Sequence, residues 1–432
     1  MASHPRERKP GSLSRRDFLR NSAVAGAALS VGGSALLAAC GSSGSSASSG
    51  PKSTGAGTVG GCGQPPVLSR ETHPATLPLC SDAIADGLPT ETGATLKIFN
   101  YADYVGPDAL KAFEKQYNCK VQVTQFASMD EAVSKLQANT ARFDITNVSP
   151  DRIGSLVATE NMQPINHSYI PNFANVWPSL QSPFYDRGSR YTIPYTLYTT
   201  GVGYRIDKID PADDPFKMAD GTDLLFKTKY KGRVYVLDDD REALSMALLR
   251  LGITDVNTED PALIAKAGAE LGKLTSLVNV KIGIDDYQLL PSGQAWVHQA
   301  WGGDMINAVS YLPKGVSPSV LGYWFQPNGK GLIQNDMMAI PKSAEHPVLA
   351  HHFLNFLLDP KNALLNFNGI GYQQPLNQLS PESFITNGLV PANLKTALVG
   401  PADFDRAFEE LQLSPAGDRV WQAQWRKFTS GA

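Results

Sequence analysis

Residues 95–148 switch repeatedly between two hydrophobic periods, and that switching restricts the chain to one class of fold. Thr95-Leu96-Lys97-Ile98-Phe99-Asn100 alternates as a half-buried strand does. Pro107–Tyr117 places Leu110, Phe113 and Tyr117 on one helical face, with Pro107 at the position where a helix tolerates proline. Lys120–Phe126 alternates again. Ser128-Met129-Asp130-Glu131 has the spacing of a capping box and opens a helix through Ala132, Val133 and Leu136. Phe143–Val148 reads as a buried strand. Strands separated by helices of about ten residues predict a mainly parallel sheet flanked by helices, an α/β fold. Ligands in such sheets sit beyond the carboxyl ends of strands. Here those ends are followed by Tyr101–Tyr104, by Ser128 and Met129, and by Ser149–Asp151.

The same grammar continues. Arg190–Tyr195 leads into Thr199–Tyr204, and Val234–Leu237 is a strand followed by Asp238-Asp239-Asp240-Arg241-Glu242. Helices are predicted through Leu244–Leu251, with Gly252 as the residue after the cap, and over Pro261–Leu274. Asp336–Pro341 reads as a short strand, Pro347–Leu358 as a helix, and Asp403–Leu411 as the last helix.

The N-terminus has a different character. Arg15-Arg16 precedes the Ala/Gly-rich run Ala23–Leu37, which is the form of a twin-arginine export signal. The run is shorter than the ~20 residues that span a bilayer. It ends in Leu37-Ala38-Ala39-Cys40, which resembles the lipobox of bacterial lipoproteins and implies a lipid on Cys40. Gly41–Gly50 is too polar to fold and reads as a tether. Without residues 1–39 the chain keeps 32 basic and 39 acidic residues, a formal charge of −7. That balance disfavours nucleic acid and suits a cationic ligand. Cys62 and Cys80 flank a proline-rich stretch, and an extracytoplasmic compartment permits a disulfide there, although spacing leaves their pairing open. Cys119 has no evident role. No CxxC or HExxH occurs, and the adjacent His351-His352 cannot share a helical face, so neither metal nor cofactor is expected.

Eight segments in order resemble the periplasmic spermidine/putrescine-binding proteins of polyamine ABC importers. They are Ile98–Val105, Phe143-Asp144-Ile145, Ile193-Pro194-Tyr195 with Thr200–Tyr204, Leu237–Glu242, Ala300–Gly303, Asp336–Pro341, Phe353–Leu358 and Gly369–Pro375. The resemblance implies two α/β lobes with a ligand cleft between them. Residues 1–39 are then the signal and 40–93 the lipidated cysteine, tether and irregular extension. Residues 94–200 with 336–390 form lobe one, and 201–335 with 391–432 lobe two. It also implies a small cationic solute, an ABC permease partner and a monomer held at the membrane by its lipid.

A polyamine is a methylene chain carrying ammonium groups, so its site needs carboxylates for the charges and aromatic faces for the stem. Tyr101 and Tyr104 match the family's aromatic pair; as residues alone they would equally serve a core. Asp239 and Glu242 match its acidic pair, and helix capping is the competing role. Trp301 matches an aromatic before two small residues, with Gly302-Gly303 leaving room for close approach of a ligand. Asp336 matches the carboxylate at the second crossing, and Tyr372 a tyrosine lining the cleft. Ser149 matches as well, but Asp151, Gln334 and Leu197 stand where aromatics are common, so two aromatic walls are lost and a carboxylate is gained. These departures keep sugar, thiamine, phosphonate and iron open as solutes on the same fold. A hydrolase using the paired carboxylates is the alternative from another class; no GxSxG and no histidine near the acidic pair support it.

Overall fold

A computed structural model of the chain describes residues 58–59, 61–64, 68–327 and 330–431. The twin arginines, Cys40 and the Gly/Ser tether lie outside them.

Ten strands form one sheet: β1 Thr95–Tyr101, β2 Lys120–Phe126, β3 Ile145–Val148, β4 Met162–Gln163, β5 Thr192–Arg205, β6 Val234–Val236, β7 Lys281–Ile282, β8 Val297–Trp301, β9 Leu321–Trp324 and β10 Leu332–Pro341. Their order is β2-β1-β3-β10-β5-β8-β6-β7, with β9 on β5 and β4 on the end of β10. β1 runs parallel to β2 and β3, and β6 runs parallel to β7 and β8. Each end of the sheet is therefore a parallel α/β unit, and the long antiparallel strands β5 and β10 join the two.

β5 is one continuous strand rather than two pieces. Thr192–Thr200 pairs with β10, and Thr200–Tyr204 pairs with β8. Thr200 faces Leu332 on one side and Trp301 on the other, so it is the residue at which β5 exchanges neighbours. A register shift between Asp336 and Met337 bulges β10 beside this point, which re-aims side chains locally.

The helices form where caps and apolar faces coincide. α1 Pro107–Tyr117 buries Ala109 and Phe113 and ends on Asn118 in the left-handed region, φ 46°. In α2 Met129–Ala138 the Ser128 side chain accepts from the Glu131 amide at 3.2 Å, while Glu131 reaches back to the Ala127 amide, one residue earlier than a capping box would. α3 Asp240–Arg250 is buried from Arg241 to Leu248 and sits inside the second lobe. α4 Pro261–Val278 packs against it. α5 Pro347–Leu357 has its first amides capped by the Glu91 carboxylate, at 2.7 Å to Leu349. α6 Pro360–Ile370 follows.

The end of the chain departs from expectation. A short helix, Pro401–Phe404, replaces the predicted Asp403–Leu411 helix. The following segment is extended, and Phe408 pairs with Leu332. The chain then closes with α7 Pro415–Thr429, capped by Ser414 and docked on α3 and α4 through Trp421 and Phe428. After a turn at residues 405–407, extended backbone wins over residues 408–413 because the Phe408 amide and carbonyl complete the hydrogen bonds at the start of β10, to Gly331 and Ile333.

The N-terminal extension is pinned from Cys62 onward. Cys62 and Cys80 form a disulfide. Gly63 donates to the Ala158 carbonyl, Cys80 to the Tyr191 hydroxyl, and Ala75 to the Phe184 carbonyl. Cys119 is free and buried. Among the described residues no helix is long and apolar enough to cross a membrane.

Candidate functional site

The expected site residues come from the carboxyl ends of β1, β3, β6 and β8 and from the two crossing strands. Tyr101 is the last residue of β1, and Asn100 holds the turn after it by accepting from the Tyr101 amide at 2.8 Å. The turn delivers Tyr104 into the interior, 4% exposed. The Tyr104 hydroxyl lies 2.6 Å from Thr196 Oγ1 and donates to Asp336 Oδ2 at 2.8 Å. Thr196 and Asp336 are direct partners across β5 and β10, so one rung of the ladder carries both contacts. The Tyr195 hydroxyl donates to the Tyr104 carbonyl and accepts from Asn366 Nδ2 at 3.1 Å, which fixes the turn from behind. Tyr104 meets Tyr372, Tyr195 and Tyr101 edge-to-face at 4.8, 5.6 and 5.9 Å. Burial first, and then the Asp336 charge, hold the Tyr104 phenol well above its usual range.

The second-lobe side is built on the first turn of α3. Asp239 is its N-cap and accepts from the amides of Arg241 and Glu242 at 3.0 and 3.1 Å. It therefore takes the capping role, and Glu242 is the member of the pair that reaches Trp301. Glu242 is 3% exposed, and its Oε1 accepts from the Trp301 indole at 2.9 Å. Burial, reinforced by Asp239, pushes the Glu242 carboxyl up to about 8. Burial also raises Asp239, and Asp240 is pushed up to about 7 by burial and then by Asp239.

Between the two sides stands Tyr198. Burial raises its phenol well above the usual range, and the next causes are the charges of Asp336 and Glu242. The phenol is therefore within electrostatic reach of both carboxylates. Its ring meets Tyr372 at 5.9 Å and Trp301 at 6.4 Å. Leu197, by contrast, is core, 2% exposed. The aromatic thought lost at 197 is supplied one residue later, on the strand face shared with Thr196 and Thr200. Gln334 pairs with Tyr198 across the ladder, and its side-chain oxygen accepts from the Glu410 amide at 3.2 Å.

Ser149 and Asp151 sit at the rim. The Ser149 hydroxyl donates to Asp151, and Asp151 pairs with Arg152 at 3.2 Å. Arg152 also pairs with Asp130 at 3.0 Å and feels Asp418 of α7 and Asp240 of α3. Tyr372 donates to Asp304 Oδ1 at 2.8 Å. Gly302 and Gly303 make room for the protein itself rather than for a ligand. A Cβ on Gly303 would lie 2.4 Å from the Tyr372 ring, and one on Gly302 would lie 2.6 Å from Thr199 Oγ1. A cavity of about 210 Å³ opens beside the second-lobe end; Thr200, Met246, Leu249, Trp324, Leu332 and Phe408 contribute to its wall.

The structure thus brings Tyr101, Tyr104, Tyr198, Tyr372, Asp336, Trp301 and Glu242 into one linked group, with Asp239 beneath Glu242. Tyr198, Thr196 and Glu410 were not singled out from sequence. Strict period-2 reading of Tyr195–Thr200 would have found the first two. No local signal marks Glu410, because its position depends on the extended segment before α7.

The profile of the family described as bacterial extracellular solute-binding proteins matches residues 108–390. The putrescine/cadaverine-binding protein of Pseudomonas aeruginosa is 30% identical over 297 residues, covering 65% of this chain and 79% of its own length. The spermidine/putrescine-binding periplasmic protein of Escherichia coli is 29% identical over 314 residues, covering 70% and 86%. Among solved structures, the spermidine/putrescine ABC transporter substrate-binding protein PotD of Streptococcus pneumoniae superposes with a TM-score of 0.63 at 23% identity, covering 78% of this chain and 99% of that one. The Tp0655 lipoprotein of Treponema pallidum gives 0.65 at 21%, covering 77% and 99%.

Proposed function

Because the chain belongs to the bacterial extracellular solute-binding protein family, we propose that it captures a polyamine or a related organic cation between two lobes and delivers it to the permease of an ABC importer. The observation that carries this reading is the run of contacts linking the two carboxylates, from Asp336 through Tyr104, Tyr372, Tyr198 and Trp301 to Glu242. Two carboxylates separated by an aromatic face match a methylene chain with a charge at each end. In this reading Asp336 and Glu242 take the charges, and Tyr101, Tyr104, Tyr198, Trp301 and Tyr372 line the stem. Ser149, Asp151 and Asp239 shape the rim and the electrostatic field.

The lobes are residues 94–200 with 336–390 and 201–335 with 391–432. Closure of one on the other is favoured by contacts made only when the solute is bound. The curated relatives are solute-binding proteins, and we assign this chain no reaction. A twin-arginine signal and a lipid on Cys40 would hold the monomer outside the cytoplasmic membrane, within reach of its permease.

The test is a thermal-shift screen of the purified chain with putrescine, cadaverine, spermidine and spermine. A solute that binds only the folded form raises the melting temperature by mass action. The reading expects a concentration-dependent rise for at least one of them. A flat response to all four would overturn it in favour of another solute class.

A further inference from the structure

The cavity of about 210 Å³ lies between α3 and the sheet, and neither carboxylate of the proposed solute site lines it. Glu242, Met246 and Leu249 recur at i, i+4 and i+7. One face of α3 therefore carries the solute-site carboxylate in its first turn and the cavity wall beyond it. The rest of the apolar wall comes from Trp324 of β9, Leu332 of β10 and Phe408, with Thr200 of β5 beside them.

Backbone pairing fixes these walls. Leu332 is the partner of Thr200 across β10 and β5, and Trp324 is the partner of Val202 across β9 and β5. The Phe408 amide donates to the Gly331 carbonyl at 3.0 Å, and its carbonyl accepts from the Ile333 amide at 3.2 Å. A Cβ on Gly221 would lie 2.3 Å from the Trp324 ring, so the indole is pressed against that backbone. Gly331 adds bare backbone to the wall, and a Cβ there would lie 2.5 Å from the Phe325 ring. Fixed apolar side chains around an empty space forgo dispersion contacts that a bound molecule restores.

The charged and amide side chains at the cavity are engaged already. Asp220 accepts from the Thr222 amide and hydroxyl at 2.9 and 2.7 Å. Arg250 donates to Thr222 Oγ1 at 3.1 Å and to Glu270 at 3.0 Å, pairs with Asp223 at 2.5 Å and stacks over Phe226 at 4.1 Å. Gln299 donates to the Glu242 carbonyl at 2.9 Å. Lys330 is exposed, where water solvates its charge. A charged guest would compete with these contacts, whereas a neutral apolar one leaves them intact. A smaller cavity, about 150 Å³ with Leu, Ile and Phe walls, stays dry and takes up benzene. We infer that this cavity is a second ligand site, separate from the solute site, for a neutral, mainly apolar molecule of one or two rings. The inference holds whichever solute the cleft takes.

The experiment is titration calorimetry of the whole chain with indole, and with benzoate as a charged molecule of similar size. The wild type is expected to bind one indole saturably, and more tightly than benzoate. Leu249→Trp, at a half-buried position, places a ring in the cavity from the helix side and should abolish that binding. Met246→Phe narrows the same space and should weaken indole binding, and it provides the reading if Leu249→Trp does not melt cooperatively. Trp301→Ala, in the cleft, should leave indole affinity unchanged. The site would be overturned by absence of saturable indole binding, by benzoate binding as tightly or more tightly, or by unchanged indole affinity in the folded cavity variants. Loss of indole binding in Trp301→Ala would overturn it too, by placing the ring in the aromatic cleft.

Discussion

Tyr104 and Asp336 are joined by a 2.8 Å hydrogen bond although 232 residues separate them in the chain. The bond ties the turn after β1 to the bulge in β10, the two places where the first lobe meets the crossing strands. The donor in this bond is a neutral phenol. A bound ammonium would supply the charge-assisted contact that a phenol cannot. Asp336→Asn is therefore expected to weaken cation binding by ~1.5–3 kcal/mol, the range for hydrogen bonds to charged groups. Tyr104→Phe should cost less, ~0.5–1.5 kcal/mol, because it removes a neutral contact and leaves the charge in place. Titration calorimetry with the solute found by thermal shift measures both. Equal losses from the two variants would mean that Asp336 acts only as a partner of Tyr104.

The buried carboxyl groups make both stability and binding depend on pH, with opposite signs. Burial pushes Glu242 and Glu409 up to about 8 and Asp240 up to about 7. In the unfolded chain these groups titrate near ~4. Between those limits the folded state holds protons that the unfolded state has lost, so stability without solute falls as pH rises from ~4.5 to ~8. A bound cation favours the ionised form of Glu242. Binding at about pH 7 should release protons, and affinity should rise towards about pH 8.5, by up to about tenfold per pH unit while Glu242 is protonated. Calorimetry in two buffers of different ionisation enthalpy counts the released protons. Zero release together with pH-independent affinity would remove Glu242 from the binding role.

Most of the first lobe was legible in the sequence because its elements are decided locally. Pro107 and Ser128 start helices by their own chemistry, and Lys120–Phe126 carries its period in seven residues. The site was legible where it follows strand ends, as at Tyr101, Glu242 and Trp301. It was not legible where a side chain's role depends on a distant partner. Tyr198 was passed over because the ladder facing it, with Gln334 opposite, is set by β10, more than a hundred residues away. The misplaced last helix has the same origin. Phe404, Ala407 and Leu411 have helical spacing, but the edge of β10 claims Phe408 as an extended partner. The helix that does form carries its own signals in Ser414-Pro415 and in the apolar set Trp421, Trp425 and Phe428.

Removal of the Cys62–Cys80 bridge tests whether the N-terminal extension is part of the fold. The bridge spans 18 residues of sequence, and a loop of that length stabilises by ~2–3 kcal/mol through the entropy it removes from the unfolded chain. The extension also caps α5 through Glu91 and donates from Arg70 to the Gln412 carbonyl at 2.9 Å. The double variant Cys62→Ser with Cys80→Ser should therefore lower the urea midpoint of the whole domain, with solute affinity nearly unchanged. An unchanged midpoint would show that the extension unfolds independently of the lobes.

Gly303 offers a sharper test of how the cleft is packed. A methyl group there would lie 2.4 Å from Tyr372 Cγ and 2.5 Å from both Cδ atoms, closer than carbon atoms tolerate. Gly303 follows Trp301 by two residues and is buried, so its backbone has little freedom to withdraw. Tyr372 must move instead, and its hydroxyl would leave Asp304 while its ring leaves Tyr104 and Tyr198. Gly303→Ala is therefore expected to destabilise the fold by ~1–3 kcal/mol, the range for overpacking a filled core. It should also weaken solute binding, because the displaced ring is one wall of the proposed stem site. Tyr372→Ala relieves the clash and removes the same wall. The double variant Gly303→Ala with Tyr372→Ala should then be no less stable than Tyr372→Ala alone, and should bind as weakly. Urea denaturation and calorimetry on the three variants decide it: additive stability losses would mean that Gly303 is required for a reason other than the approach of Tyr372.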